Sequence, residues 1–351
     1  MPRSAGAGFF INHVILGIFC PHYKGLSHPE TIVTDMSEPI AATTISARAL
    51  ARSFGTHVAV NNIALELKRG EVLGFLGPNG AGKTTTMQML TGNLAPTRGA
   101  ISICGIDLLE QPAAAKARIG YLPEVPPLYR DLTVDEYLTL AAKLHRVPRA
   151  RRAEATANAK QRCGLADVGA KLIGNLSKGY KQRVGLAQAI VHGPDVVILD
   201  EPTVGLDPNQ IREIRGLIRE LGGLHSVILS THILPEVEAA CDRVQIMHHG
   251  NIVYSDTIAA LKQFHSGATV LLGLRRPPPL DELAAVPGVA AVEAVEPTMF
   301  RVQFTPGSDP SEVLVARSVA SRWDLYQLKP AQTSLEDVFV NLTQTEQTET
   351  S

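Results

Sequence analysis

The segment Gly77–Thr84 constrains the fold of this chain more than any other part of its sequence. Its residues fit the pattern G-x-x-x-x-G-K-S/T, in which glycines let backbone N–H groups turn inward and surround an anion. The apolar run Val72–Leu76 predicts a buried strand before it, and Thr84–Leu90 predicts a helix after it. In that setting the pattern predicts a nucleoside-triphosphate site, and a glycine-rich turn that fits by chance is the alternative.

The residues of this loop supply different parts of a phosphate site. Lys83 carries the positive charge that can reach the β- and γ-phosphates, and the hydroxyl of Thr84 is suited to hold Mg²⁺. The helix that follows directs the positive end of its dipole at phosphate. The residues expected to contact the triphosphate are Gly77, Pro78, Asn79, Gly80, Ala81, Gly82, Lys83, Thr84 and Thr85.

Composition limits the other classes of function. A chain of 351 residues with 45% hydrophobic residues is long enough for about two globular domains. The net charge of −1 provides no basic field, so we predict no nucleic-acid partner. The basic cluster of Arg149, Arg151 and Arg152 lacks interleaved aromatics, and we interpret it as the solvated start of a helix. The cysteines, which have no metal-binding spacing and indicate a reducing compartment, are Cys20, Cys104, Cys163 and Cys241.

We predict that residues 1–42 form an extension outside the folded domains. The apolar run Phe9–Cys20 has only 12 residues, which is too short to span a membrane. A signal peptide is the alternative, but only Arg3 precedes the run and no small-residue cleavage site follows it. We therefore predict that this extension is disordered or precedes the true start of translation, for which Met36 is the candidate.

Two acids follow the buried strand predicted for Val196–Leu199. In open α/β sheets, ligands bind beyond the carboxyl ends of the strands. That rule places Asp200 to hold Mg²⁺ and Glu201 to orient or deprotonate an attacking water. A helix cap or a surface turn is the alternative for this pair.

Further positions predict contacts to a nucleotide. His232 ends a predicted buried strand and is placed to hydrogen-bond the γ-phosphate, although a lone histidine is usually a satisfied polar residue. Ser177 and Gly179 begin the helix predicted for Tyr180–Val191, a second helix N-terminus suited to phosphate. Phe54 precedes a glycine turn, where it either stacks on a purine ring or packs as a core aromatic.

The order of the predicted elements divides the chain into domains. Apolar strands alternating with amphipathic helices predict an α/β domain over residues 43–257, in which Thr133–Glu136 form the capping box of a helix. A linker helix is predicted over 258–267, a small ferredoxin-like α+β domain over 268–343 and a polar tail over 344–351. The elements predicted for the ferredoxin-like domain are strand Thr269–Leu274, helix Leu280–Val286, strands Val289–Val295 and Met299–Phe304, helix Ser311–Ser321, strand Asp324–Leu328 and helix Ser334–Leu342.

Taken together, these motifs resemble those of the ATP-binding cassette ATPases. In order along the chain, the matching positions are Phe54 as the adenine-stacking aromatic, Gly77–Thr84 as Walker A, Glu124 at the Q-loop, Leu176–Tyr180 as the signature motif, Val196–Asp200 as Walker B, Glu201 as the catalytic glutamate, Gly205–Asp207 as the D-loop and His232 as the switch histidine. The complete set in the order of the family makes the resemblance specific. It implies an α/β fold with a P-loop core, an antiparallel β-subdomain and a helical subdomain over about residues 125–175, followed by the small α+β domain.

The resemblance also implies cofactors and roles for the site residues. ATP and Mg²⁺ are the implied cofactors, and Lys83, Glu201 and His232 are the implied catalytic residues. The implied metal ligands are Thr84, Glu124 and Asp200. Two cassettes are implied to meet head to tail, so that each ATP lies between the P-loop of one and Ser177 and Gly179 of the other. Asp207 of the D-loop is a further implied ATP-binding residue.

Two motifs depart from the usual pattern of the family. Glu124 stands where glutamine is usual, which adds a negative charge beside the triphosphate. The signature motif has Lys178 and Tyr180 where glycine and glutamine are usual, but it keeps Ser177 and Gly179, which are implied to approach the γ-phosphate.

Both variants are similar to those of ATP-binding subunits of ABC-2-type exporters, including gliding-motility and multidrug relatives, as is the C-terminal segment Ser334–Phe339. This similarity implies integral membrane permease subunits that dock near Glu124–Asp135 and a place on the cytoplasmic face of the inner membrane. It also implies a second cassette, for which we predict an identical chain and a paralogue is the alternative. A soluble cassette ATPase of translation or DNA repair is the alternative. The translation type needs two cassettes in one chain, whereas this sequence has one set of motifs, and the repair type needs a long coiled coil, whereas this sequence has no such heptad run. A GTPase or small-molecule kinase would leave the signature motif unexplained.

Overall fold

The computed structural model describes residues 43–261, 269–305 and 308–330. The predictions that lie outside these residues are the extension 1–42, the helix Ser334–Leu342 and the tail 344–351. The linker helix predicted over 258–267 is described only at its start, where a helix begins at Ile258. Within the described ranges, no helix is both long and apolar enough to cross a membrane.

The first domain is built on a six-stranded sheet. Its strands, in the order in which they lie side by side, are β10 (Asn251–Thr257), β9 (Arg243–His248), β3 (Val72–Leu76), β8 (Ser226–Thr231), β7 (Val196–Asp200) and β6 (Ile119–Leu122). All neighbouring pairs are parallel except β10 with β9. Every residue of β3, β7 and β8 is buried, which explains why these segments lack the alternating pattern of a half-exposed strand.

The register of the parallel strands brings the predicted motifs to one edge of this sheet. Leu76 at the end of β3 pairs with Thr231 at the end of β8, and Asp200 at the end of β7 pairs with Ser230. The P-loop, Glu201 and His232 follow these strand ends directly. The carboxyl edge of the sheet therefore collects the residues on which the sequence predicts the chemistry.

A second sheet of four antiparallel strands packs on β3 and on the helix that follows the P-loop. Its strands, side by side, are β2 (His57–Lys68), β1 (Thr43–Phe54), β4 (Arg98–Ile103) and β5 (Ile106–Asp107). From the sequence alone, the apolar runs Ile45–Leu50 and Ile63–Leu67 predict two shorter strands in place of β1 and β2. Shifts of register on either side of Leu50, near Ala49 with its φ of 51°, let the pairing continue to Phe54 and His57.

Seven α-helices of the first domain have described bounds: α1 (Lys83–Leu90), α2 (Pro112–Lys116), α3 (Val134–Leu144), α4 (Arg152–Arg162), α5 (Lys178–Ile190), α6 (Pro208–Gly222) and α7 (Leu234–Ala240). The capping box predicted at the start of α3 is confirmed, because Thr133 accepts from the Glu136 N–H while the Glu136 carboxylate accepts from the Thr133 N–H. Helices α3 to α6 share one hydrophobic cluster with β7 and β8, on the face of the sheet opposite to the antiparallel strands.

The C-terminal domain has its own sheet and its own core. Its elements are β11 (Thr269–Leu274), α8 (Leu280–Ala284), β12 (Val289–Glu296), β13 (Met299–Phe304), α9 (Ser311–Ala320) and β14 (Leu325–Pro330). The strands pair antiparallel in the order β12-β13-β11-β14 around buried residues that include Leu272, Leu314 and Trp323. The elements thus follow the predicted β-α-β-β-α-β pattern, whereas the predicted domain limits of 268–343 stay a prediction because they reach beyond the described residues.

Candidate active site

The P-loop needs glycine at defined positions because the backbone is crowded there. A Cβ atom at Gly77 would lie 2.3 Å from the Met247 carbonyl oxygen, and one at Gly82 would lie 2.4 Å from that of Ala59. Gly82 also has a φ of 107°, in the left-handed region that side chains avoid. Gly82 is the N-cap of α1, so the tight loop directs a helix N-terminus into the site.

The side chain of Lys83 folds back into the P-loop. This side chain is only 5% exposed, and its Nζ donates to the carbonyl oxygens of Gly77 at 2.7 Å and Pro78 at 3.2 Å. The same Nζ lies 3.4 Å from Oε1 of Glu201. The positive charge is therefore held at the centre of the loop, next to the carboxylate on which the hydrolytic role is predicted.

Glu201 is fixed by its backbone and by two cationic or polar neighbours. It follows β7 with a φ of 49°, and its N–H donates to the Ser230 carbonyl of β8 at 2.9 Å. A non-glycine residue rarely adopts this conformation unless its surroundings hold it there. His232 Nδ1 lies 2.9 Å from Glu201 Oε2 and 3.0 Å from Oε1. The structure thus brings together Lys83, Glu201 and His232, the three residues predicted to be catalytic.

Asp200 is a fully buried carboxylate whose two oxygens have no hydrogen-bond partner. Burial raises its pKa, and the neighbouring carboxylates of Glu201 and Glu124 raise it further, while the hydroxyls of Ser230 and Thr84 lower it. An orphaned carboxylate beside a threonine hydroxyl offers the hard oxygen ligands that Mg²⁺ prefers. Among the residues that the structure describes, no three His, Cys, Asp or Glu side chains form a metal cage, and Mg²⁺ needs few protein ligands because it keeps several waters.

A buried clamp around Glu236 was missed by the sequence analysis. Glu236 of α7 is fully buried and accepts hydrogen bonds from Thr203 Oγ1 and, at 2.9 Å, from Thr231 Oγ1. Thr231 Oγ1 in turn accepts from the N–H of Ile233 at 3.1 Å. The clamp joins the loop after Glu201 to the segment that carries His232. Its only trace in the sequence is an acid between apolar neighbours, which is too common to predict it.

The residues predicted for the second phosphate contact lie together at the start of two helices. Ser177 caps α5, where its Oγ accepts from Tyr180 N–H at 3.4 Å, and Asp207 caps α6, where it accepts from Asn209 and Gln210 N–H at 3.0 Å each. A Cβ atom at Gly179 would lie 2.6 Å from the Gln210 side chain. Within the described part of the chain, no hydrogen bond or ion pair joins Ser177 or Gly179 to Gly77–Thr84.

Two further predicted residues lie at the surface. Phe54 ends β1 with 47% of its surface exposed, which excludes the core aromatic that the sequence left open. The guanidinium of Arg52 lies 4.6 Å from the centre of its ring and covers part of it. Glu124 follows β6 and is exposed in a cleft of about 300 Å³ that Val125, Lys178 and Lys181 also line.

Comparison with known proteins places these residues in a described family. A family model described as "ABC transporter" matches residues 60–204, which include Lys83, Glu124, Asp200 and Glu201. The chain is 41% identical over 219 residues to the uncharacterized ABC transporter ATP-binding protein YxlF of Bacillus subtilis (strain 168), which covers 62% of this chain and 72% of that protein. It is 39% identical over 214 residues to the bacitracin transport ATP-binding protein BcrA of Bacillus licheniformis, covering 60% of this chain and 69% of that protein.

A solved structure has a similar fold. The structure of cbiO1 from Clostridium perfringens, part of the ABC transporter complex cbiONQ, superposes with a TM-score of 0.57. The two chains are 30% identical, and the match covers 62% of this chain and 89% of that one.

Proposed function

The chain belongs to the ABC transporter family of ATP-binding proteins, and from that premise we propose that it powers an ABC-2-type exporter through ATP-dependent closure of a head-to-tail cassette dimer. That it is an ABC-type ATPase and the ATP-binding subunit of a transporter follows from the family. The position of Glu201, whose carboxylate lies 3.4 Å from Lys83 Nζ and 2.9 Å from His232 Nδ1, is the single observation that best supports hydrolysis as the step that drives it.

The proposed hydrolysis follows from the contacts of Glu201. A phosphate that enters the P-loop competes with Glu201 for Lys83, because both anions need the same Nζ. The carboxylate oxygen released from Lys83 then accepts a proton from the attacking water. His232, whose Nδ1 contacts both carboxylate oxygens, keeps Glu201 in position and donates a hydrogen bond to the γ-phosphate. Thr84, Asp200 and Glu124 are the residues suited to hold Mg²⁺, which neutralises phosphate charge when it is bound.

The proposed dimer follows from the separation of two sets of phosphate-binding residues. Ser177 and Gly179 have no bond to the P-loop of their own chain within the described residues, although both begin a helix suited to phosphate. A two-fold pairing of identical cassettes lets each chain supply these residues to the P-loop of its partner. ATP favours the closed dimer because only there is its γ-phosphate bound from both sides.

The proposed exporter partner is an integral membrane permease at the cytoplasmic face of the inner membrane. Exposed apolar side chains mark the segment where docking is proposed: Val125 is 78% exposed and Tyr129 is 61% exposed, beside the cleft that Glu124 lines. Exposed groups of this kind are typical of protein interfaces. BcrA is a bacitracin transport ATP-binding protein and cbiO1 is part of an ABC transporter complex, and this chain is proposed to work in a transport system in the same way.

The variant Glu201→Gln tests the hydrolytic part of the proposal. It removes the proton acceptor but keeps the shape of the side chain, so ATP hydrolysis should fall by roughly 10²- to 10⁴-fold while ATP binding is retained. With ATP, the variant should accumulate as a dimer in size-exclusion chromatography with light scattering. The control is Glu220→Gln, an exposed glutamate of α6, which should leave the rate unchanged. Hydrolysis by Glu201→Gln near the wild-type rate would remove Glu201 as the base.

The exporter partner is tested by purification of the tagged protein from native membranes. An integral membrane protein that co-purifies in stoichiometric amount supports the proposed exporter. A wholly soluble pool without a membrane partner would instead favour a soluble cassette ATPase.

A further inference from the structure

A cavity of about 350 Å³ lies at the edge of the central sheet opposite to the P-loop. Its walls come from the end of α3 and from α4 on one side, and from the end of α5 and the turns before β7 and β8 on the other. His192 and Gly193 lie in the turn before β7 and His225 immediately precedes β8, whereas the nucleotide site follows the carboxyl ends of the same strands. The five residues of β7 separate the two edges by roughly 16 Å, so this cavity is not part of the nucleotide site.

The cavity has an excess of positive charge that the chain does not neutralise. Arg146, Arg151 and Arg162 line it, and Glu154 is the only acidic side chain of the described residues among its lining groups. None of the three guanidinium groups makes an ion pair or a hydrogen bond within the described part of the chain. By contrast, Asp195 beside the cavity is engaged by Arg69 and Arg118. The three arginines therefore keep their full capacity to bind an anion.

Three histidines from different elements form another wall of the cavity. The rings of His145 and His192 stack with their centres 3.8 Å apart and their planes at 6°. His192 Nε2 donates to the Ile119 carbonyl oxygen at 3.1 Å, and His225 Nδ1 donates to that of Pro194 at 2.7 Å. These bonds fix the tautomers, and they leave the buried Nδ1 of His192 with no hydrogen-bond partner.

Burial holds the three imidazoles neutral near neutral pH. It lowers the pKa of His145, of His225 and, to about 4, of His192. The other charged groups that face them act in both directions: Arg162 lowers the pKa of His225 and Asp195 raises it, while His145 and His225 lower that of His192. An added negative charge in the cavity would favour the protonated imidazoles.

We propose that this cavity binds a small soluble phosphorylated anion, such as a diphosphate or a phosphate monoester. The planar guanidinium group presents paired N–H donors that match phosphate oxygens, and three arginines line this cavity without a partner among the described residues. The volume is at the lower end of the range for ligand pockets, which suits a compact anion rather than a polymer. The anion joins α4 to the turns before β7 and β8, and its binding draws protons onto the histidines. This site goes beyond the proposed ATPase and does not depend on it.

The test is isothermal titration of the full chain with inorganic diphosphate as the probe. The double variant Arg146→Gln/Arg162→Gln should weaken binding by at least roughly 100-fold, about tenfold for each lost charge-assisted contact. The matched control is Arg149→Gln, which replaces an exposed arginine of the same segment that does not line the cavity and should bind as the wild type does. Since diphosphate also fits a P-loop, Lys83→Ala is included, and the proposed site should persist in it.

The results separate the proposal from its rivals. Affinity that rises as the pH falls below neutral, with proton uptake measured in buffers of different ionisation enthalpy, supports the site. Binding lost in Lys83→Ala but kept in the double arginine variant would assign all of the diphosphate to the P-loop and overturn the proposal. Equal losses in the double variant and in Arg149→Gln would show only a general basic surface. Binding to phosphatidic acid vesicles without binding of free diphosphate would overturn the soluble ligand.

Discussion

Lys83 Nζ and Glu201 Oε1 lie 3.4 Å apart, and their side chains are only 5% and 8% exposed. This ion pair joins the P-loop, which follows β3, to the end of β7, and the single strand β8 lies between β3 and β7 in the sheet. Because the pair is shielded from water, the electrostatic attraction between the two charges is strong. An anion that binds Lys83 in place of Glu201 therefore changes the position of both side chains. The relationship couples the binding of phosphate to the position of the proposed base.

Replacing Lys83 with alanine should weaken ATP binding by roughly 10- to 100-fold, because it removes charge-assisted hydrogen bonds to the β- and γ-phosphates. Equilibrium binding of ATP measured by calorimetry gives the change. Lys143→Ala, in an exposed lysine of α3, is the control and should bind ATP as the wild type does. Tight ATP binding by Lys83→Ala would contradict the assignment of the P-loop.

The variant Asp200→Asn should stabilise the protein in the absence of nucleotide and metal while it abolishes hydrolysis. Burial raises the pKa of Asp200, so the charged carboxylate costs folding energy at every pH above that raised pKa. Removing the charge should add about 1–3 kcal/mol to the free energy of unfolding at neutral pH, measured by chemical denaturation. The gain should shrink as the pH falls toward 3.8, where the carboxyl of the unfolded chain also becomes protonated.

A loss of stability from Asp200→Asn at neutral pH would show that the carboxylate has a partner that compensates for its burial. Glu220→Gln is again the matched control, since that glutamate is exposed and should change the stability little.

Truncation of Glu236 should uncouple the loop after Glu201 from the segment that carries His232. Glu236→Ala leaves the buried hydroxyls of Thr203 and Thr231 without their acceptor, at a cost of about 2–4 kcal/mol in the free energy of unfolding. Glu236→Gln keeps an acceptor oxygen and should cost less. If Glu236 positions the site, kcat falls more than the affinity for ATP in both variants.

The control for this prediction is Glu238→Ala on the same helix, which removes a half-buried carboxylate outside the clamp. A loss of stability in Glu236→Gln without any change in kcat would limit Glu236 to a structural role.

Acid should destabilise the protein through His192. Its pKa is lowered from 6.5 to about 4 in the folded protein, so its contribution to stability is complete above pH 6.5 and is lost as the pH falls toward 4. The loss from this one group approaches ~3 kcal/mol. The free energy of unfolding, measured by chemical denaturation at each pH, should fall less steeply with decreasing pH in His192→Gln than in the wild type. The glutamine keeps a donor for the Ile119 carbonyl but cannot take up the proton. An identical pH dependence in wild type and variant would refute the contribution.

The sequence predicts the core strands, and the motifs at the carboxyl edge of the six-stranded sheet, because both are encoded by short local segments. The apolar run Val196–Leu199 falls within β7, where continuous burial leaves an uninterrupted apolar signature. The predicted strand Thr269–Leu274 coincides with β11. The ends of β1 and β2 are missed because a shift of register near Ala49, rather than the apolar run, decides how far the pairing extends. Phe54 could be placed at a strand end by sequence, but its exposure depends on which strands surround it.

By itself, the sequence determined the chemistry that is available: a glycine-rich phosphate loop, two acids after a buried strand, and a histidine after another. Local backbone preferences and residue type are enough for these predictions. Only the tertiary structure decided that Lys83 touches Glu201, that Glu236 is buried between two threonines, and that His145 stacks on His192. The contacts of Lys83 with Glu201, of Thr203 with Glu236 and of His145 with His192 join segments distant in sequence. Their geometry is set by the register of parallel strands and by helix packing, which local patterns do not encode.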